Sequence, residues 1–273
     1  MLKASVIMST YNSEEWLEKV IWGFSIQTET NFEIIIADDG SRDETKQLID
    51  KLREEVSIPI IHVWHHDHGF QKTKILNKAI VASNTEYLIF TDGDCIPRKD
   101  FVSVHMRNKE PGYFLSGGYY KLPMSISKMI TKENILKQSC FKLRWLYSNG
   151  LPIKFKNIKL VNNRTISSIM NIITPTKASW NGHNASGWKK DLLAVNGFNE
   201  LMKYGGEDRE LGERLEHMDI KSKQVRYRAI CIHLDHERGY VNEEAKNKNN
   251  EIRDYSRLHK IIKTPNGISQ ADS

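Results

Sequence analysis

The chain is poor in cysteine: Cys95, Cys140 and Cys231 are the only ones among 273 residues. Thiols so widely spaced argue against both a disulfide framework and a structural zinc site. Long apolar runs are missing as well, so the sequence encodes no transmembrane helix of the usual roughly twenty residues. Its first residues lack the charged-then-apolar pattern of a secretory signal, and the expected location is cytoplasmic. No Gly-x-Gly-x-x-Gly follows the first strand-like run, which removes a dinucleotide fingerprint, and there is no internal repeat. Acids are scarce in one region. Between Lys121 and Lys177, eleven Lys and Arg face Glu133 alone, so that segment is +10 and, from a total of +6, the remainder is −4. A basic stretch carrying aromatics on a mildly acidic body reads as a docking surface for something anionic.

What is present is ordinary globular material. Hydrophobic residues make up 39% and charged residues 27%, so a chain of this length can bury a full core, as one large domain or one with an attached lobe. Strand-like and helix-like periodicities alternate from the start. Ala4 to Met8, Phe32 to Ala37, Ile58 to Val63 and Glu86 to Thr91 read as strands. Helical spacing joins Trp16, Leu17, Val20 and Phe24, then Thr45 to Leu52, then Ile75 to Ala82, with Asn12 or Ser13 as the first cap. Such alternation implies right-handed βαβ units and a mostly parallel sheet covered on both faces. After Tyr120 the regularity breaks into the basic segment, in which Phe141 to Tyr147 fits an amphipathic helix. Regularity resumes at Trp180, with a helix from Glu207, a strand from Gln224 to Ile232 and a polar helix over Glu251 to Ile262.

Polar clusters sit at the carboxyl ends of the strands, where open α/β sheets bind ligands. Asp92-Gly-Asp94 leaves the fourth strand, and two carboxylates on a tight turn suit a hard divalent cation, although Asp and Gly are also common turn residues. Ser9-Thr10-Tyr11-Asn12 leaves the first strand: Tyr11 can stack on a nucleobase, and the same loop can simply cap a helix. Asp38-Asp39-Gly40-Ser41 leaves the second. Gly205-Gly206-Glu207-Asp208 opens a helix, whose N-terminus keeps a carboxylate ionised as a general base requires. Trp180-Asn181-Gly182 through Trp188 is an aromatic and amide-rich loop suited to sugar faces, with Trp188 equally suited to a core. The His-rich stretch His65-His66-Asp67-His68 reads as a polar surface loop.

The order and placement of these motifs resemble the nucleotide-sugar-dependent glycosyltransferases of family 2, over roughly residues 3–239, and the Gly-Gly-Glu-Asp segment is similar to that of galactosyltransferase-like relatives. The resemblance implies a GT-A fold, an α/β Rossmann-like sheet. It implies an inverting transfer from a nucleoside diphosphate sugar, a UDP-sugar in the first instance, to a saccharide hydroxyl of lipopolysaccharide core or another cell-surface glycan. It places donor contacts at Thr10, Tyr11, Asp38, Asp39 and Asp92, with Lys74 and Asn77 the nearest matches to a basic-then-Asn pattern and the choice between Lys72 and Lys74 open. Asp208 becomes the base and Glu207 an acceptor contact beside Trp180, Asn181 and Trp188. A divalent metal, Mn²⁺ or Mg²⁺, falls to Asp94 with Asp92, and to His233 in preference to His236. The implied organisation is a donor-binding part at 1–120, the basic insertion at 121–177, an acceptor and base part at 178–240 and a polar tail at 241–273. The basic segment, through Phe141, Trp145, Leu146 and Tyr147, would meet an anionic membrane face, making the protein peripheral there and a lipid-linked saccharide its acceptor. A sugar-nucleotide pyrophosphorylase is the alternative, without the glycine-rich basic loop such enzymes carry. A nucleic-acid-binding protein would leave both acidic motifs without a purpose.

Overall fold

The computed structural model describes residues 1–236 and 242–268. The first half alternates as its periodicity dictates: β1 (Ala4–Thr10), α1 (Glu14–Ser25), β2 (Phe32–Asp38), α2 (Asp43–Glu55), β3 (Ile60–Trp64), α3 (Lys72–Ala82) and β4 (Tyr87–Asp92). Then follow β5 (Cys95–Pro97), α4 (Phe101–Asn108), β6 (Tyr113–Ser116) and β7 (Gly118–Lys121). The basic segment holds α5 (Met124–Met129), α6 (Lys132–Leu136), α7 (Leu143–Ser148) and α8 (Arg164–Ile173). Last come β8 (Ala185–Trp188), α9 (Lys189–Ala194), α10 (Glu207–His217), β9 (Lys221–Gln224), β10 (Ile230–His233) and α11 (Glu243–Leu258).

Seven strands form one sheet in the order β3-β2-β1-β4-β8-β6-β9, parallel from β3 to β4 and antiparallel where β8 enters. Side chains alternate across it. Val6, Met8, Ile34, Ile36 and Ile89 face α1, while Ile7, Ile35, Leu88 and Phe90 face α3 and α10. A second sheet, β5-β10-β7, carries the chain from Asp94 back beneath the site.

Three sequence expectations change. The strand from Gln224 to Ile232 is two strands: β9 extends the large sheet, a turn closes as Arg228 and Ala229 donate to the Val225 carbonyl, and β10 enters the small one. The C-terminal helix starts earlier, at Glu243, because the Asn242 side chain accepts from the Glu244 and Ala245 N–H groups. In the basic segment Phe141 and Leu146 are buried, and the partly buried Trp145 and Tyr147 pack against the same core as α1, so these side chains belong to the core rather than to a free amphipathic face. The expected border of the tail at 240/241 lies outside the described residues.

Candidate active site

Four strand or helix ends converge above the parallel sheet. Asp92 closes β4, and its Oδ1 accepts from Ser9 Oγ and from Lys72 Nζ, each at 2.7 Å. Burial opposes its charge, yet Lys72 and Ser9 hold the carboxyl well below the usual carboxylate range. Lys72 is the first residue of α3, a place where the helix dipole disfavours a cation. It is charged because acids surround it: against the cost of burial, Asp92, Asp208 and Glu207 together raise its pKa.

Asp208 sits in the first turn of α10, behind Gly205 and Gly206, whose φ angles of 108° and 93° lie in the left-handed region. The Gly205 N–H donates to Glu207 Oε2 at 2.8 Å, which turns Glu207 back over the helix end. The helix itself is pinned by the buried pair Arg214–Glu210 at 2.8 Å, with Arg214 also donating to the Val195 and Gly197 carbonyls. Asp208 Oδ1 is buried with no hydrogen-bond partner. Burial and the neighbouring Glu207 push its pKa up to about 7, against the pull of Lys72 and the Gly182 N–H. A Cβ on Gly182 would come within 2.8 Å of both Asp208 oxygens, so only glycine leaves the carboxyl where it stands.

The other acid of the motif, Asp94, faces histidines. Its Oδ2 lies 2.9 Å from His236 Nε2 and 3.7 Å from His233 Nε2. His233 donates Nδ1–H to the Leu234 carbonyl at 2.7 Å, which turns its Nε2 toward the Asp94 carboxylate. This gathered set of carboxylate and imidazole atoms fits a divalent metal such as Mn²⁺. Cys95 belongs to the same cluster, but burial and Cys231 hold its thiol protonated, so it offers no thiolate. His183 completes the wall, its ring 4.3 Å from Tyr119 and its pKa lowered by burial to about 4.

On the β1–β2 side, Asp38 accepts from the Ser41 N–H at 2.8 Å and pairs with His62 at 2.9 Å. Asp39 pairs with His65 at 2.8 Å and accepts from the Gln71 N–H at 3.0 Å. Gly40, at φ 92°, lets the 65–68 loop approach, since a Cβ there would strike the Asp67 backbone at 2.6 Å. Tyr11 is half exposed and its hydroxyl donates to Asp67, leaving a ring face at the rim. Thr10 Oγ is buried beside Gly93.

Several sequence assignments are corrected by this geometry. Trp180 is fully buried against Phe90 and Phe114, so it is core. Trp188 pairs with Tyr87 in register: β8 runs antiparallel to β4 and carries it to the opposite end of the sheet from Asp92. Asn77 is buried and clamps Phe198 and Glu200, unavailable to a donor. Lys72 rather than Lys74 reaches the acids; Lys74 has no polar partner among the described residues. His65 is buried on Asp39 instead of lying in a solvated loop. Asn181 remains at the site's edge, its amide 3.2 Å from Ser116 Oγ. The sequence left Lys72 and Lys74 open and gave Gly182 and His183 no role; a lysine as the first residue of a helix is itself a signal.

Residues 5–159 match the model of glycosyl transferase family 2, and residues 175–237 match the N-terminal domain of galactosyltransferase. The chain belongs to glycosyl transferase family 2. Among curated members it is 31% identical over 96 residues to TarS of Staphylococcus aureus, a poly(ribitol-phosphate) beta-N-acetylglucosaminyltransferase, covering 34% of this chain and 16% of TarS. It is 22% identical to the uncharacterised glycosyltransferase YfnE of Bacillus subtilis, over 86% of this chain and 65% of YfnE. The chain thus spans less than two thirds of either relative. Its fold matches solved glycosyltransferase structures: TarS residues 1–349 in complex with UDP-GlcNAc, at TM-score 0.61 and 17% identity, covers 96% of this chain and 70% of that one. The mannosyltransferase PcManGT of Pyrobaculum calidifontis, with GDP-Man and Mn²⁺, gives 0.60 and 16%, over 96% and 66%. The expected GT-A architecture is the one present.

Proposed function

We propose that this chain transfers a hexose from a UDP-sugar to a saccharide hydroxyl, inverting the anomeric centre, with Asp208 as base. One observation carries the reading: Lys72 hydrogen-bonds Asp92 on the strand-end side and feels the charges of Asp208 and Glu207 on the helix side, so a single cation serves both a diphosphate corner and a base. The acceptor O–H proton passes to the unpartnered Asp208 oxygen as the acceptor oxygen bonds to the anomeric carbon. The bond from that carbon to the diphosphate breaks, its electron pair leaving on the nucleotide. A divalent metal held by Asp94, His233 and His236 supplies positive charge to the leaving diphosphate when bound. Lys72 adds a fixed positive charge from the protein. Asp39 and the Tyr11 ring face supply the uridine contacts, and Glu207 and Asn181 the acceptor contacts. The UDP-GlcNAc complex of TarS supports the donor class; the GDP-Man complex of PcManGT supports Mn²⁺ and makes GDP-sugars the donor to test beside UDP.

An acceptor at an anionic membrane is favoured by a stretch of the same basic segment that lies beyond Phe141 to Tyr147. Ile153 and Phe155 alternate with Lys154 and Lys156, and Ile166, Ile169, Ile172 and Ile173 of α8 are also exposed. No helix among the described residues is long and apolar enough to cross a membrane, so contact would be peripheral. The deciding experiment is a screen of UDP-, GDP- and TDP-sugars for metal-dependent hydrolysis and transfer by the purified protein; no turnover or binding with any of them overturns the transferase reading. Liposome flotation tests the surface, and equal recovery with and without anionic lipid removes it.

A further inference from the structure

Away from the transfer site, at the far end of the small sheet, a cavity of about 260 Å³ lies between α4, α8 and the start of β10. Three arginines line it, Arg98, Arg107 and Arg228, against one acid, Asp100. Arg98 is 5% exposed, and Asp100 takes its Nε and one Nη2 contact at 2.6 and 3.0 Å, while the Arg228 carbonyl takes Nη2 again at 2.6 Å. Its Nη1 is left buried with no partner. Arg228 repeats the pattern, giving Nη2 to Ser168 and leaving Nε buried and unpaired. Arg107 adds an exposed guanidinium from α4, and Asn162 and Ser167 add polar side chains from the basic segment.

Three guanidinium groups against a single carboxylate leave this wall with net positive charge, so it wants an anion. Donors arrive from three elements at different angles. That suits an oxyanion with three or four acceptor oxygens better than a planar carboxylate, which one arginine fork can satisfy. The space is ample at roughly 30 Å³ per liquid water. We infer that this cavity is a phosphate-binding site, separate from the transfer site, which takes a phosphate or phosphoryl group between Arg98, Arg107 and Arg228.

Such an anion would also fasten α8. That helix meets the body through sparse polar contacts: Asn171 Oδ1 accepts from the Tyr227 N–H, Thr174 bonds the Tyr227 hydroxyl and Ser168 meets Arg228. A phosphate held by Arg98 and Arg228 and reached by Ser167 would bridge the two sides. Because the outer face of α8 is its exposed isoleucine row, the phosphate can come from solution or from a lipid headgroup.

The test is thermal unfolding of the full chain titrated with inorganic phosphate against chloride at fixed ionic strength, with flotation on phosphatidylglycerol vesicles in parallel. Expected is a saturable rise in melting temperature with phosphate. Arg107→Gln and Arg228→Lys should each weaken it about tenfold, the worth of about 1.4 kcal/mol, and Lys72→Gln should leave it intact. A loss in Lys72→Gln with no change in the arginine variants places the phosphate in the transfer site and overturns the inference. If free phosphate gives no shift but both arginine variants lower vesicle recovery, the headgroup is the source. No phosphate shift and unchanged recovery refute the site, whatever the donor screen shows.

Discussion

Asp208→Asn separates the chemistry of the proposed base from its cost to the fold. Folding moves this carboxyl from 3.8 to about 7, through burial and the like charge of Glu207. Between those values the folded protein holds a proton that the unfolded chain has released, so stability falls as pH rises through the window and stays lower above it. At roughly 1.4 kcal/mol per pH unit the ionised Asp208 carries about 4 kcal/mol, and its partial contact with solvent screens some of that. Asparagine keeps the shape, still accepts from the Gly182 N–H and has no proton to lose. The advantage of the variant over wild type in urea unfolding should therefore grow by roughly 2–3 kcal/mol between pH 4.5 and 8. Transfer should be lost in the same protein while UDP binding persists. The wild-type acid limb of kcat/KM should have its midpoint near the value of about 7. A stability difference that does not change with pH refutes the burial argument, and near-normal transfer refutes the assignment of the base.

Gly182→Ala should lower kcat by on the order of 100-fold with UDP binding kept, because the new methyl displaces both Asp208 oxygens; unchanged kcat in steady-state assays would show that the carboxyl position is unimportant. Lys72→Gln removes the cation that pulls the Asp208 pKa down, so the acid limb of the pH–rate profile should move to higher pH and donor KM should rise; an unmoved limb breaks the proposed link. Trp180→Ala should cost roughly 3–5 kcal/mol in denaturant unfolding as a core truncation. Unchanged stability with a raised acceptor KM would return Trp180 to the sugar.

The sheet was legible because period and position agreed: apolar runs of strand length ended each time in a polar cluster, and the ends of parallel strands share one edge. That brought the acids at the ends of β2 and β4, Asp39, Asp92 and Asp94, to one edge, and the Gly-Gly-Glu-Asp segment at the start of α10 added Asp208. Orientation is what the runs conceal. Nothing in Ala185 to Trp188 says that β8 runs antiparallel, and this reversal alone sends Trp188 to the wrong end. Helix phase is concealed too: Lys72 and Lys74 are two residues apart, about 200° around a helix, so only the true start of α3 decides which one faces Asp92. In the basic segment composition misled, because Phe141 and Leu146 were needed to close the core over α1 and the exposed apolar side chains lay further along.

The position of Lys72 gives the proposed chemistry an order. In the unliganded protein its ammonium is shared among Asp92, Asp208 and Glu207, and the part felt by Asp208 holds that carboxyl down against burial. A diphosphate brought beside Asp92 competes for the same cation with greater charge. The diphosphate's own negative charge adds to that of Glu207 and Asp92 around Asp208, and any shift of the Lys72 ammonium toward the donor weakens its pull; both raise the proton affinity of Asp208. A carboxylate becomes a stronger base when the sugar nucleotide is seated, which is when an acceptor proton must be taken. The acid limb measured at saturating donor, in kcat, should therefore lie at higher pH than the limb measured for free enzyme. Coincident limbs would mean that Lys72 stays with the acids throughout the cycle and neutralises nothing on the leaving group.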